Sequence, residues 1–309
     1  MDSFDGQGAG PLEKLPASPQ GIGFIASRFT APDWATGRIS DGDARFLFEL
    51  MTRENPHRMV ELGVTSGTST TFLLKVLASL GAGGRLCSFD FDDRYYADPG
   101  IRLGQFIFDE LGPAPADFAL FPKVNADHVA ERFAASGGGE ADLAFIDAGH
   151  EHPLPCLDLL ALLPVLQPGA WVALHDISLP FIHARFPCYG PHHLFRQWPG
   201  GRRVLDDASE RPNIGAIRLP QSRADAIDAV LAVLATPWDR AGAVAALTRY
   251  AAARRNVGPA GRARLNAIYR REAGLVMRRA LTPTATIRFI RWLPRRIARA
   301  LRGRLPARR

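Results

Sequence analysis

Cysteine is scarce in this sequence, and long apolar runs are missing from it. The three cysteines, Cys87, Cys156 and Cys188, are widely spaced and form no Cys-x-x-Cys pair, which argues against a disulfide framework and a cysteine zinc site. No run of about eighteen uncharged apolar residues could cross a membrane, and the first residues lack the basic and apolar regions of a secretory signal. These absences predict a cytoplasmic protein.

Acidic residues are also absent from the C-terminal end. From Leu275 to Arg309 there are 11 arginines and no acid, so the rest of the chain carries a net charge of −4 although the whole chain carries +7. The basic character therefore belongs to the tail, and a nucleic-acid footprint across the main body is not indicated.

Arginine and apolar residues recur at helical spacing in this tail. The stripes consist of Arg288, Arg291, Arg295, Arg299 and Arg302 beside Ile287, Ile290, Ile297 and Leu301. A basic amphipathic helix is typical of a segment that lies on an anionic membrane surface, which is the interpretation we favour. Two alternatives stay open: an arginine-rich arm that binds nucleic acid, and a helix that packs on the acidic body of its own chain.

The stretch from Arg58 to Leu80 organises the rest of the sequence. It predicts a buried strand, a turn that contains Gly63 and Gly67, and a helix. In such a unit a ligand lies beyond the carboxyl end of the strand, against the helix N-terminus. Glu61 precedes the turn, and its charge disfavours a phosphate. A ligand with an ammonium group or ribose hydroxyls is therefore expected.

Acidic residues follow two later segments of the pattern. Asp90 ends the second predicted strand, where a carboxylate can accept hydrogen bonds from ribose hydroxyls, although a solvated acidic turn would have the same composition. Asp127 precedes a predicted helix, where it can either meet an adenine amino group or serve as the helix N-cap. We favour the ribose role for Asp90 and leave both roles of Asp127 open.

Two further strands end in paired carboxylate and imidazole groups. Asp147 and His150 follow the apolar strand that ends at Ile146, and His175 and Asp176 follow the strand that begins at Trp171. A single histidine is usually a core residue with one backbone partner. Here two histidines and two aspartates are expected at one edge of a parallel sheet, so we favour a functional site.

The element pattern predicts an α/β protein in four parts. Residues 1–38 form an N-terminal extension, disordered over about its first 20 residues, and residues 39–220 form the main domain. Residues 221–281 form a helical appendage for packing or homodimerisation, and residues 282–309 form the basic tail. The aromatic interval from Phe181 to Pro220 is expected to form either a substrate lid or the cover of a sheet edge.

The segment from Glu61 to Ser69 resembles motif I of class I S-adenosylmethionine-dependent methyltransferases, and most closely the small-molecule O-methyltransferases and the methyltransferase family 24 domain. The later segments FIDAGHEH, LHDISLP and NIGAIRLP fit the same domain, so the resemblance covers roughly residues 40–220. It implies a Rossmann-like, seven-stranded, mostly parallel sheet with an antiparallel last strand and helices on both faces.

The resemblance also implies roles for individual residues. The methionine end of S-adenosylmethionine would be held by Glu61 and the Gly63/Gly67 turn, with Ser69 near its carboxylate. Asp90 would bind the ribose, Asp127 the adenine, and Asp147 would also contact the cofactor. The family often has glycine where this chain has Thr65.

Two catalytic arrangements follow from the resemblance. Metal-dependent relatives hold a divalent ion with an Asp after the fourth strand and an Asp-Asn pair after the fifth. Asp147 matches the first position, whereas His175-Asp176 departs from the pair, so that Asp147 and Asp176 could offer oxygens to Mg²⁺. Without a metal, His150 or His175 would act as general base beside Asp176.

The expected activity is S-adenosylmethionine-dependent O-methylation of a small hydroxylated molecule or a glycan or glycolipid. The alternatives are an RNA or protein methyltransferase that uses the arginine tail, which the acidic body disfavours, and a non-catalytic module that keeps the fold.

Overall fold

The computed structural model describes residues 11–81, 83–113, 115–124, 128–137, 139–182, 188–207 and 209–280. The strands in this part of the chain are β1 (Leu12–Leu15), β2 (Arg58–Leu62), β3 (Arg85–Phe89), β4 (Arg94–Tyr95), β5 (Asp98–Arg102), β6 (Phe118–Phe121), β7 (Ala141–Ile146), β8 (Leu166–His175), β9 (Arg203–Asp206) and β10 (Ile214–Arg218). The helices are α1 (Pro19–Arg28), α2 (Asp41–Glu54), α3 (Thr68–Leu80), α4 (Gln105–Leu111), α5 (Val129–Ala135), α6 (Leu154–Leu162), α7 (Leu179–Ile182), α8 (Gly190–Arg196), α9 (Arg223–Leu234), α10 (Arg240–Asn256) and α11 (Pro259–Ala280).

Eight strands form one sheet in the order β1-β9-β10-β8-β7-β2-β3-β6. All neighbours are parallel except β10, which is antiparallel to both β8 and β9. The mostly parallel, Rossmann-like sheet with an antiparallel last strand is therefore confirmed. Strands β4 and β5 form a separate hairpin.

Strand β1 is an addition to the predicted seven strands. It pairs in parallel with β9 at the edge of the sheet, and α1 follows it after a Ser18 N-cap. The prediction of disorder over about the first 20 residues is therefore wrong for Leu12–Leu15 and for the start of α1. Composition did not indicate this strand, because its order comes from pairing: the Pro11 carbonyl accepts from the Arg203 amide, and the Leu15 carbonyl from Asp207.

Alternate residues of the central strands face two separate apolar layers. Met59 and Leu143 pack with α2 and α3 on one face of the sheet, whereas Val60 and Ala144 pack with α5 and α6 on the other. Burial on both faces explains why these strands are continuously apolar. Helix α2 begins with a capping box formed by Ser40 and Asp43, and Asn55 is its C-cap.

The appended helices pack on the main domain. Helices α9 and α10 contact α6, and α11 contacts both of them, with Val257, Leu265 and Tyr269 buried in the same apolar layer as α6. The helical appendage is interrupted near Trp238 and near Gly258, while homodimerisation and the domain limits stay predictions. No helix in the described ranges has the length and apolar character of a membrane span. The basic tail, residues 282–309, lies outside the described residues.

Candidate functional site

A cavity of about 620 Å³ opens at the carboxyl edge of the sheet, where β2, β3, β7 and β8 end. Its wall includes Gly63, Thr65, Asp90, Asp147, His150 and Asp176. A second cavity, of about 700 Å³, lies between α1, α3 and α4 and is remote from the strand ends. The first cavity is the candidate site because the ligands of open α/β sheets bind beyond the carboxyl ends of the strands.

The glycine turn after β2 forms one wall of this cavity. Gly63 has a φ of 92°, and a Cβ at this position would lie 1.9 Å from the carbonyl oxygen of Asp147. The turn is thus fitted against the end of β7, and only glycine permits the approach. Thr65, at the position where the family often has glycine, also has a positive φ, of 49°.

Asp90 fixes this turn and lines the cavity. Its Oδ2 accepts hydrogen bonds from the backbone amides of Val64 at 2.8 Å and Thr65 at 3.1 Å, and its Oδ1 accepts from the Asp92 amide at 2.9 Å. Oδ2 thus uses both of its lone pairs, whereas Oδ1 can accept one further bond. The ribose role of Asp90 stays a prediction, with the residue in a suitable place for it.

Glu61 lies beneath the turn and is fully buried. It accepts hydrogen bonds from the hydroxyls of Ser69 at 2.8 Å, Thr70 at 2.7 Å and Ser88 at 2.6 Å. Burial raises the pKa of Glu61 to about 7, although the three hydroxyl bonds lower it. Neither Glu61 nor Ser69 is among the described residues that line the cavity. In this structure the two residues connect β2, β3 and α3, and their contact with the cofactor stays a prediction.

Four side chains from the ends of β7 and β8 meet as predicted, and Asp43 of α2 joins them. His150 Nε2 lies 2.6 Å from Asp176 Oδ2 and 3.5 Å from Asp147 Oδ1. His175 Nδ1 lies 3.1 Å from Asp147 Oδ1, and its Nε2 lies 3.3 Å from Asp43 Oδ2. The result is a chain of two imidazoles and three carboxylates. The only sequence signal for Asp43 as a member of this cluster is its position at the start of α2.

His175 cannot serve as the base in this arrangement. Its side chain is buried and both ring nitrogens face carboxylate oxygens, so both must donate. Burial lowers the pKa of His175, but Asp147 and Asp43 raise the pKa by a larger amount, so that it lies well above its usual value. The imidazolium is thus a structural cation in this arrangement, and the geometry favours His150 over His175 as the candidate base.

His150 lines the cavity and remains the candidate base. Burial lowers the pKa of His150, but its hydrogen bonds to Asp147 and Asp176 raise the pKa by a larger amount, so that it reaches about 10. Asn213 Nδ2 donates to Asp176 Oδ1 at 2.8 Å, which holds this carboxylate in place. His150 and Asp176 therefore form a hydrogen-bonded pair at the cavity wall.

Donor atoms of Asp147, His175 and Asp176 lie within 4.8 Å of one another, a spacing that a metal ion could use. Their partners do not fit Mg²⁺, because His175 donates to Asp147 and because His150 Nε2 lies between Asp147 and Asp176. Mg²⁺ requires oxygen ligands in near-octahedral geometry. These contacts therefore do not support the predicted Mg²⁺ site of Asp147 and Asp176.

The predictions for Asp127 and for the aromatic interval have separate outcomes. Asp127 and its adenine role lie outside the described residues, as does His183 of the aromatic interval. Trp198 of that interval is a core residue, fully buried with its Nε1 donating to the Arg218 carbonyl at 3.0 Å. Leu179 and Cys188 line the cavity, so a lid role for this interval stays a prediction.

Sequence reasoning missed two cavity residues outside the strand ends. Asp158 of α6 and Arg249 of α10 line the cavity and form an ion pair. Neither belongs to a motif, and only the packing of the appended helices brings them together.

The family model of a methyltransferase domain matches residues 60–177, from β2 to just beyond the end of β8. No curated protein matches the chain. Two O-methyltransferases are among the solved structures that are similar to this chain. The O-methyltransferase TomG from Streptomyces achromogenes, involved in tomaymycin synthesis and solved with SAM, has 17% identity and a TM-score of 0.44, covering 65% of this chain and 96% of that chain. An O-methyltransferase from Bacillus cereus in complex with SAH has 15% identity and a TM-score of 0.44, covering 64% of this chain and 89% of that chain. These TM-scores are too low to support an argument about the site.

Proposed function

We propose that this chain, which carries a class I S-adenosylmethionine-dependent methyltransferase domain at residues 60–177, methylates a hydroxyl oxygen of a small-molecule or saccharide acceptor. The observation that carries the proposal is the shared cavity, which both the glycine turn and the His150–Asp176 pair line. A donor site and a proton acceptor within one cavity are what methyl transfer to a hydroxyl requires.

The residues around the turn fit the cofactor. The close approach of Gly63 to the Asp147 carbonyl leaves no room for a side chain at position 63. Asp90 offers its Oδ1 to a ribose hydroxyl, and Asp147 offers a carboxylate to a positively charged group. Both carboxylates line the cavity. When bound, S-adenosylmethionine supplies a methyl group that its positive sulfur activates toward an attacking oxygen.

His150 would take the acceptor proton. The acceptor oxygen would form its bond to the methyl carbon as the bond from that carbon to sulfur breaks, which leaves S-adenosylhomocysteine. The hydroxyl proton would move to Nδ1 of His150, while Nε2 donates to Asp176, whose carboxylate stabilises the resulting imidazolium. The ion pairs keep His150 protonated near neutral pH in the free protein. A cation bound in the cavity disfavours that charge and thereby lowers the pKa of His150.

The proposal is tested with purified protein, S-adenosylmethionine and a panel of hydroxylated compounds that includes methyl glycosides and catechols. Formation of S-adenosylhomocysteine together with a methyl ether on one of these compounds supports it. Binding of S-adenosylhomocysteine with methylation of RNA or protein, and of no small hydroxylated compound, would assign the second candidate activity. A protein that binds no S-adenosylhomocysteine would refute the assignment altogether.

The arginine tail motivates a proposal about location. We propose that residues 282–309 bind an anionic membrane surface and bring the domain to a lipid-linked acceptor, since eleven arginines and no acid lie between Leu275 and Arg309. The full chain and a chain that ends at Leu281 are compared on vesicles with and without anionic lipid, and on RNA. Retention by anionic vesicles that requires the tail supports the proposal, whereas retention by RNA alone contradicts it.

A further inference from the structure

We infer that Arg249 of the helical appendage binds the acceptor, and that it favours acceptors with neutral, oxygen-rich groups such as the hydroxyls of a hexopyranoside. The inference rests on the proposed function, because it assigns a substrate class to the same cavity. It also gives the appendage a role in the site, beyond packing.

Arg249 reaches the cavity from outside the methyltransferase domain. It lies on α10, which packs against α6, and it lines the cavity together with His150 and Asp176. Its Nη1 donates to Oδ1 of Asp158 on α6. The side chain of Asp158 is 2% exposed, whereas that of Arg249 is 28% exposed. The buried carboxylate thus acts as a positioning group, and the guanidinium is the accessible member of the pair.

The guanidinium keeps donors for a ligand. Arginine has five N–H groups in a planar fork and accepts no hydrogen bond, and in the described part of the chain its hydrogen-bond partner is Asp158. Asp158 Oδ2 is buried and has no hydrogen-bond partner among the described residues. The Arg249–Asp158 pair is therefore not tied into a larger hydrogen-bond network through this oxygen. Donors on the cavity wall suit hydroxyl, ring and glycosidic oxygens of an acceptor.

The charge of the wall argues against an anionic acceptor. The described wall holds five aspartates, namely Asp90, Asp92, Asp147, Asp158 and Asp176, and its cations are Arg249 and His150. Because Asp158 compensates the charge of Arg249, an incoming carboxylate or phosphate meets an excess of negative charge. A neutral polyhydroxylated ring can instead accept from Arg249 and donate to the carboxylates.

The test compares two paired variants. Arg249→Met alone would leave Asp158 buried and unpaired, which is costly, so the variant is Asp158→Asn/Arg249→Met. The matched control is Asp228→Asn/Arg264→Met, which removes an exposed ion pair between α9 and α11 of the same appendage. Both variants, and the wild type, are assayed with methyl α-glucopyranoside, methyl α-mannopyranoside and methyl α-glucuronoside. S-adenosylhomocysteine affinity is measured by calorimetry.

We expect the wild type to methylate a neutral glycoside with a kcat/KM about tenfold or more above that for the glucuronoside. In the Asp158→Asn/Arg249→Met variant kcat/KM should fall about tenfold, mainly through KM, with unchanged S-adenosylhomocysteine affinity. The control should match the wild type. Preference for the glucuronoside, an unchanged KM in the test variant, or methylation of catechol with no glycoside methylated would overturn the inference and leave the proposed function standing. Absence of S-adenosylhomocysteine binding would instead refute the proposed function.

Discussion

His150 Nε2 lies 2.6 Å from Asp176 Oδ2 and 3.5 Å from Asp147 Oδ1, so a single imidazole joins the ends of β7 and β8. Both His150 and Asp176 line the cavity that the glycine turn borders. This relationship places a proton-accepting group beside the proposed donor site. It also fills the space between the two carboxylates that a metal-dependent mechanism would use.

Replacement of His150 by glutamine should slow the chemical step. Glutamine keeps a hydrogen-bonding side chain but cannot take a proton, so kcat should fall about 10² to 10⁴-fold. Calorimetry should show S-adenosylhomocysteine affinity close to that of the wild type. The exposed His57 provides a control, since His57→Gln should change neither quantity. Full turnover in His150→Gln would exclude this residue as the base.

The pH profile should report the same group. His150 accepts a proton only when it is neutral, and its pKa in the free protein is raised to about 10. We therefore expect kcat/KM to increase with pH through the neutral range and to level off near that pKa. Asp176→Asn removes one of the partners that raise the pKa, so its profile should level off at lower pH. Identical profiles for both proteins would contradict the assignment.

Glu61 should make the stability of the protein depend on pH in an unusual direction. Its pKa is raised from 4.5 in the unfolded chain to about 7 in the fold. Below pH 4.5 Glu61 is protonated in both the folded and the unfolded chain, so its burial does not oppose folding. Between pH 4.5 and about 7 the unfolded chain loses this proton while the folded chain keeps it, and the free energy of unfolding therefore falls as the pH rises. From pH 5 to pH 8 the wild type should lose roughly 2–3 kcal/mol relative to Glu61→Gln, measured by urea unfolding.

The exposed Glu210 offers the matched control for this measurement, because Glu210→Gln should show no pH-dependent difference from the wild type. A constant difference between wild type and Glu61→Gln across this pH range would mean that Glu61 is ionised throughout. The three hydroxyls that contact it would then outweigh the effect of burial.

Chelation should leave the activity intact. Because His150 and His175 occupy positions beside Asp147 and Asp176, the carboxylates are paired without a divalent ion. We expect the initial rate in excess EDTA to equal the rate in Mg²⁺. A rate that falls in EDTA and recovers when Mg²⁺ is added would restore the metal site that the sequence suggested.

The sequence predicted the sheet and the meeting of the histidines and aspartates because parallel strands bring their carboxyl ends to one edge. Gly63 and Asp90 could be found for the same reason, since each is tied to a strand end. What each side chain does there could not be predicted, because it depends on partners from distant parts of the chain. His175 is a buried cation because Asp147, which is 28 residues away, and Asp43, which is 132 residues away, both contact its ring.

Glu61 and Arg249 also show that the role of a side chain depends on partners that the sequence pattern does not reveal. Glu61 has a motif position, yet the hydroxyls of Ser69, Thr70 and Ser88 occupy its carboxylate beneath the turn. Arg249 has no motif, yet packing of α10 on α6 brings it to the cavity. Strand β1 was missed because its order comes from pairing with β9, far along the chain.

Titration of S-adenosylhomocysteine into the wild type and Gly63→Ala tests the account most directly. A Cβ at Gly63 would lie 1.9 Å from the Asp147 carbonyl oxygen, so the turn and the end of β7 must move apart. Gly23→Ala is the control, since no atom lies within 4 Å of its added Cβ. We predict one bound molecule per chain for the wild type and the control, and loss of binding for Gly63→Ala with its fold retained by circular dichroism. Equal binding by all three proteins, or none by the wild type, would contradict the account.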